Sequence, residues 1–280
     1  MLRRSVLPLA LIPLALVPLV ATAVLTHQPA HAATVLESAG FDSLPTGRIS
    51  AKSFNAELGG GYWDEKNYDD SSVQADTRGT GKAYRLALQA GTNHNNPTGN
   101  NGIVAVIPLV KQVDNACLAY DIRFDPNFDW SLGGKLPGLS GVAPGVAATW
   151  PAGGNYGGSK GWSGRMMWHG GGKMESYMYG PEQTSRYGDG IAWPKLFVRG
   201  RWHRVQQCYT MNSPGVANGK LQTWFDGTQV LNITNHVYRT RSDVHISHMM
   251  WSIFRGGSTM DWAGSRNSYI DFDNVTITTK

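Results

Sequence analysis

Residues 163–180 read SGRMMWHGGGKMESYMYG, two short runs on either side of the triple glycine Gly170–Gly172. A three-residue loop with glycine in the left-handed conformation is a common hairpin connection. A hairpin closed there sets Arg165 opposite Tyr177, Ser163 opposite Tyr179 and Met167 opposite Glu175. Side chains alternate along a strand, so Ser163, Arg165, Met167 and His169 share one face with Lys173, Glu175, Tyr177 and Tyr179. Met166, Trp168, Met174 and Met178 fall on the other face, which reads as core. One face is cationic and phenolic and its reverse apolar, and a one-residue slip would exchange them.

Outward from the hairpin the chain continues in short strands and turns. Residues 33–60 read as a lead-in strand and loops anchored by Thr34–Leu36 and Phe41–Leu44. AYRLAL (83–88) is a strand, and GTNHNNPTGNN (91–101) is a polar tract of the kind found in solvated turns. Ile103–Pro108 and Cys117–Phe124 follow as strands, the second with Leu118, Tyr120, Ile122 and Phe124 on one face. Leu136–Ala148 and 151–162 read as Gly/Pro-rich loops. Beyond the hairpin, strands are expected at Leu196–Val198, Trp202–Met211, Val244–Phe254 and Ser268–Thr278. LQTWF-DG-TQVLNI (221–233) is a second hairpin turning on Asp226–Gly227. No stretch of ten or more residues carries capped helical periodicity after the leader. With 34 glycines and turn signals between many short strands, the expectation is all-β: one antiparallel sandwich or jelly-roll domain over 33–280.

Residues 1–32 read as a secretory signal peptide, with Arg3 and Arg4 before an apolar run and Ala30-His31-Ala32 as a small-x-small cleavage site. An exported, extracellular protein is expected, with no membrane attachment after cleavage. The formal charge is +5, and loss of a leader holding two arginines and no acid leaves +3. Glutamates number five: Glu37, Glu57, Glu65, Glu175 and Glu182. Such a surface suits an anionic partner. No basic run interleaved with aromatics points to nucleic acid. Cys117 and Cys208 lie in strand-like segments, and in an oxidising compartment a disulfide between neighbouring strands is expected. Two thiols do not support a cysteine-based metal site.

Several chemistries lack their residues. Glycoside hydrolysis needs two carboxylates about 5–10 Å apart, and no E-x-D-x-x-E alternation occurs here. Ser163 lacks a nucleophile-elbow context, and the histidines, His169, His203, His245 and His248 among them, form no HExxH spacing. β-Elimination in a uronic-acid polymer fits better. It removes the C5 proton beside a carboxylate and expels O4, so a cation against the carboxylate stabilises the enolate-like transition state. A tyrosine can move the proton if nearby positive charge pulls its pKa down. Arg165 opposite Tyr177 supplies that pair, with Lys173 as a further cation on the same face.

GGKLPG at 133–138, S-x-R-M-x-W at 163–168 and Y-x-Y at 177–179 resemble the signature of family 14 polysaccharide lyases. FRGGSTMDWAGSRNSYIDFDNV (254–275) is similar to that family's closing region. The resemblance implies a β-jelly-roll enzyme that cleaves alginate or glucuronan by β-elimination. By position it implies an active-site lysine at Lys135, a serine and arginine at Ser163 and Arg165, and a tyrosine pair at Tyr177 and Tyr179. Arg165 and Lys135 would neutralise the carboxylate, a tyrosine or Lys135 would be the base, and Ser163 would position a hydroxyl. His169 departs from the pattern, standing where an arginine is expected, which bears on subsite charge. His169, Lys173, Arg186, Tyr187 and Trp193 are candidate substrate-binding residues.

No cofactor is implied, because Arg and Lys can do what calcium does in other lyases. A structural ion near Asp261, Asp271 or Asp273 is compatible with the sequence. β-D-Mannuronate and β-D-glucuronate both demand syn elimination and differ only at C2, whereas α-L-guluronate would place acid and base on opposite faces. The rival readings are a non-catalytic carbohydrate-binding β-sandwich and, behind it, a glycoside hydrolase. A monomer acting on an anionic polysaccharide is expected.

Overall fold

The computed structural model describes residues 33–65, 71–95, 102–152 and 159–279, of which 62–65 are described by backbone alone. The leader expected at 1–32 and the distal half of the 91–101 tract lie outside the described residues. The strands in chain order are β1 Val35–Ala39, β2 Gly47–Arg48, β3 Tyr62–Glu65, β4 Ser71–Ala75, β5 Lys82–Leu88, β6 Gly102–Val113, β7 Asn115–Phe124 and β8 Gly133–Val142. They continue with β9 Gly161–His169, β10 Lys173–Tyr179, β11 Asp189–Leu196, β12 Trp202–Thr210, β13 Gly219–Phe225, β14 Thr228–His236, β15 Ile246–Arg255 and β16 Ser268–Thr278.

All described pairings are antiparallel, in two sheets. One runs β14-β13-β12-β7-β16-β5-β4-β2, with β1 also on β16; the other runs β11-β10-β9-β8-β15-β6-β3. Sequence-distant strands sit side by side, as a jelly roll requires. The core lies between the sheets, where apolar residues of one parity meet. Tyr84 meets Trp251 edge-on at 5.6 Å, Phe124 meets Trp168 at 5.9 Å, and Trp251 meets Phe272 at 5.0 Å.

The hairpin expected at 163–180 forms in the expected register: Tyr177 pairs with Arg165, Tyr179 with Ser163 and Glu175 with Met167. Gly171 and Gly172 take φ of 74° and 80° in the turn. Met166, Trp168, Met174 and Met178 join the main core. The second hairpin turns on Asp226 and Gly227, both at positive φ, and Cys117 pairs directly with Cys208 across β7 and β12 in a disulfide.

Three local expectations are overturned. Leu136–Ala148 is not a loop from its start, because β8 runs Gly133–Val142 through the middle of the second sheet. Glycine is what allows it: a Cβ on Gly138 would run into the Gly164 carbonyl oxygen and the Arg165 Cα. The strand expected at Leu196–Val198 lies earlier, as β11, and ends at Leu196. Residues 33–60 also hold a helix, α1 Ala51–Leu58, capped by the Ser50 side chain on the Ser53 N–H. Its Phe54 packs against Tyr84 and Trp251 at 6.0 and 6.5 Å, closing that part of the core.

Candidate active site

The register of the second sheet lays three rows of side chains across the face turned away from the core. His248, Ser140, Ser163 and Tyr179 pair in succession across β15, β8, β9 and β10. Met250, Gly138, Arg165, Tyr177 and Gly190 form the next row, reaching β11. Phe254, Lys135, Met167, Glu175 and Ala192 form the third. Lys135, Ser163, Arg165, Tyr177 and Tyr179, carried by three adjacent strands, are therefore brought together. A face turned from the core would ordinarily be wet, yet Arg165 is 3% and Lys135 9% exposed.

Segments from three directions cover it. The Ser163 hydroxyl donates to the Pro151 carbonyl at 2.6 Å, and the Gly188 N–H donates to the Tyr177 hydroxyl at 3.0 Å. Trp262, on the short turn Met260–Trp262, packs against Met167, Tyr177 and Tyr179.

Among the described residues Arg165 is the uncompensated charge on this face. Arg165 lies over the two phenol rings, its Cζ 6.0 and 5.7 Å from the centroids of Tyr177 and Tyr179. Its buried Nε has no hydrogen-bond partner, and among the described residues no carboxylate pairs with the guanidinium. Buried Arg123 and Arg239 by contrast are paired, Arg123 with Asp271 at 2.8 Å and Arg239 with Asp114 at 2.9 Å, and Arg255 is held by backbone carbonyls and the Ser268 hydroxyl. An unpaired buried guanidinium is costly enough that it marks a place for an anion.

Lys135 sits beside it, with Nζ 3.7 Å from the Tyr177 ring centroid and 2.6 Å from the Met167 sulfur. Burial, then the charge of Arg165, pushes its ammonium well below the usual lysine range, and Glu175 opposes the shift. Tyr177 moves the other way. Its pKa was expected to fall beside Arg165, but burial raises it, with Tyr179 adding, against the smaller effects of Arg165 and the Gly188 N–H. Two neighbouring groups are thus driven apart, the lysine toward neutrality and the phenol toward retaining its proton, a pattern typical of acid–base pairs.

The candidate binding residues divide. His169 stands at the rim, with Nε2 3.1 Å from a Glu175 oxygen. Lys173 is exposed at the hairpin end. Arg186 and the exposed Tyr187 lie just before Gly188, on the loop that reaches Tyr177. Trp193 does not belong with them. It is 5% exposed in the core, with its indole N–H on the Ser176 hydroxyl at 3.0 Å, because it lies in β11, where Ala192 takes the third row and alternation turns Trp193 inward. The Gly188 N–H and Trp262 were not anticipated. A backbone donor leaves no trace in composition, and Trp262 sits in a loop where no periodicity assigns it a face.

Among the described residues no cluster of three or more His, Cys, Asp or Glu could hold a metal. The aspartates considered for an ion are engaged otherwise: Asp271 binds Arg85 and Arg123, Asp273 contacts Arg78, and Asp261 meets the Thr259 hydroxyl.

The polysaccharide lyase 14 family model matches residues 77–275, well over half of the chain. The chain belongs to that family. It is a polysaccharide lyase, so the binding-module and hydrolase readings fall away. Its fold is similar to that of the alginate lyase Aly36B, with 27% identity over 87% of this chain and 96% of that one and a TM-score of 0.72. A variant of Aly36B has been captured with an alginate tetrasaccharide. The alginate lyase of the marine animal Aplysia kurodai aligns with a TM-score of 0.78 and 24% identity, over 88% of this chain and all of that one. The endo-β-1,4-glucuronan lyase of the fungus Trichoderma reesei aligns at 0.52 and 16%, over 78% and 91%. Among curated protein sequences none matches this chain.

Proposed function

We propose that this lyase is an exported enzyme that cuts a β-D-uronate polymer, polymannuronate or glucuronan, by syn β-elimination at the Lys135–Arg165–Tyr177 cluster. The observation that carries the reading is the buried Arg165 guanidinium, paired with no carboxylate among the described residues and flanked by a lysine and a phenol whose proton affinities are pushed apart. Arg165 takes the carboxylate of the sugar whose C5–H bond breaks and stabilises charge as it spreads into that group. Neutral Lys135 accepts the C5 proton. The electron pair forms the C4–C5 double bond as the C4–O4 bond breaks, and Tyr177 delivers its proton to O4. Both groups stand on the same face of the sheet and so can reach one side of a sugar laid on it, the side from which syn elimination takes H5 and O4. After product release Lys135 loses the proton and Tyr177 regains one.

Tyr179 packs edge-on against Tyr177 at 5.5 Å and orients it, while Ser163 ties the face to the segment at Pro151. The family and an alginate-binding relative support a uronate polymer as substrate. The leader expected at 1–32 and the Cys117–Cys208 disulfide support export.

The test is the ultraviolet absorbance of the new C4–C5 double bond, followed with polymannuronate, polyguluronate and glucuronan. Absorbance should rise on one or both β-D-uronate polymers and stay flat for Tyr177→Phe. Reducing ends without absorbance, or polyguluronate as the fastest substrate, would overturn the mechanism.

A further inference from the structure

Resting on the lyase reading, we infer that Trp262 is a sugar-stacking wall of the cleavage groove, presenting its indole to the apolar C–H face of a pyranose ring beside Lys135, Arg165 and Tyr177. The cluster Met167, Tyr177 and Tyr179 is separate from the main core, and Trp262 is the partly exposed side chain packed on it. One side of the indole thus meets the reactive face, and the ring as a whole stays partly exposed.

The local chain holds the indole there. Gly257 has φ of 103°, and a Cβ on it would run into the indole ring, so the ring lies against bare backbone. The neighbouring Gly256 borders the site as well: a Cβ there would lie 3.9 Å from the Lys135 Nζ and 4.0 Å from the Met167 Cε. The segment 256–262 therefore leads from the lysine to the tyrosine pair. Its turn is pinned from outside, with the Ser131 hydroxyl donating to the Trp262 carbonyl at 3.0 Å and the Asn93 amide to the Thr259 carbonyl at 2.6 Å. Ser265 is bound in turn by Asp129, through its hydroxyl at 2.8 Å. A rigid support lowers the entropy lost when the ring receives a ligand.

The chemistry of the ligand follows from the division of groups. A uronate ring offers a carboxylate edge and an apolar C–H face. Arg165 and Lys135 answer the edge, and an indole, large and flat, answers the face. Trp262 packs beside Tyr177 but its indole neither takes nor gives a proton in the elimination, so its contribution is to binding rather than to the chemical step.

The experiment compares Trp262→Ala and Trp262→Phe with the wild type on whichever polymer it cleaves, and measures calorimetric binding of a saturated uronate tetrasaccharide in the Tyr177→Phe background. For Trp262→Ala, KM should rise about tenfold with kcat within about threefold, and tetrasaccharide affinity should fall by a similar factor. Trp262→Phe should lie between. Unchanged KM and affinity, or a fall in kcat at constant KM, would overturn the inference, and either can be read from Trp262→Phe if the alanine variant does not fold. A wild type that produces no double bond would defeat the lyase mechanism instead, and the calorimetric comparison would still decide the role of Trp262.

Discussion

Arg165 and Lys135 are buried side by side against the rings of Tyr177 and Tyr179, with no ion pair to offset their desolvation among the described residues. Arg165 makes no ion pair among the described residues, and Lys135 is driven toward neutrality by burial and by Arg165 itself. Replacing an unpaired buried charge by an apolar side chain of similar length removes a desolvation cost. Arg165→Met is therefore expected to raise the stability to urea by about 1 kcal/mol while lowering kcat/KM by roughly 10²–10³. A variant that loses both stability and activity would mean that the guanidinium has a structural partner. Glu175 acts on the same pair from the third row, and its charge holds the Lys135 pKa up against burial and Arg165. The groups facing Lys135 are Arg165, Met167, Tyr177 and Glu175, with His169 behind the carboxylate. Glu175→Gln removes the one effect that raises the pKa, so Lys135 stays neutral to lower pH. If the neutral amine is the base, the acid limb of the kcat/KM profile moves to lower pH. A limb that stays put or moves up would take the base role away from Lys135.

β8 decides how the site is assembled and is also the element hardest to read. The flanking hairpin was legible because three glycines allow one short turn, and three core-facing methionines, a tryptophan and a phenolic pair then select a register. β8 carries Gly133, Gly134, Gly138 and Gly141 around a proline, which locally reads as a loop. Its strand conformation is imposed by β9 and β15 on either side, and glycine is required because those backbones come so close. The Lys135 position came from a resemblance, while its burial came only from the sheet. Trp193 failed for a related reason: the segment after the hairpin reads as a loop, whereas pairing with β10 makes it the strand β11 and alternation then turns Trp193 to the core. α1 escaped because eight residues with two apolar contacts fall short of a recognisable period. The glycine requirement in β8 can be tested. Gly138→Ala would force its methyl into the Gly164 carbonyl and Arg165 Cα, where the neighbours are backbone and cannot yield. The expected loss is about 3 kcal/mol in urea unfolding, with activity falling further as β9 shifts. A well-folded, active Gly138→Ala enzyme would show that the strands have room to separate.

At the scale of the molecule the two sheets divide the work. The outer face of the sheet containing β7, β12 and β16 holds paired charges, with Arg78, Arg85, Arg123 and Arg204 matched to Asp76, Asp121, Asp271 and Asp273. It also holds the Cys117–Cys208 disulfide, across a sequence separation of 91 residues. On the corresponding face of the other sheet Arg165 and Lys135 have no carboxylate in hydrogen-bonded contact among the described residues, and loops cover them. The stabilising devices thus sit on one sheet and the reactive groups on the other, with the aromatic core between. A crosslink closing so long a loop contributes about 4.6 kcal/mol in the chain-entropy account. Reduction, or the Cys117→Ala/Cys208→Ala pair, should therefore lower the urea midpoint substantially. It should leave kcat/KM within about twofold at 25 °C, where the domain is still folded, because distant sites act independently. The two measurements belong together, urea unfolding with and without reductant and lyase rate on the same samples. A rate that falls well before the fold does would mean that strain in the first sheet reaches Arg165 through the core, and that the two faces are coupled rather than separate.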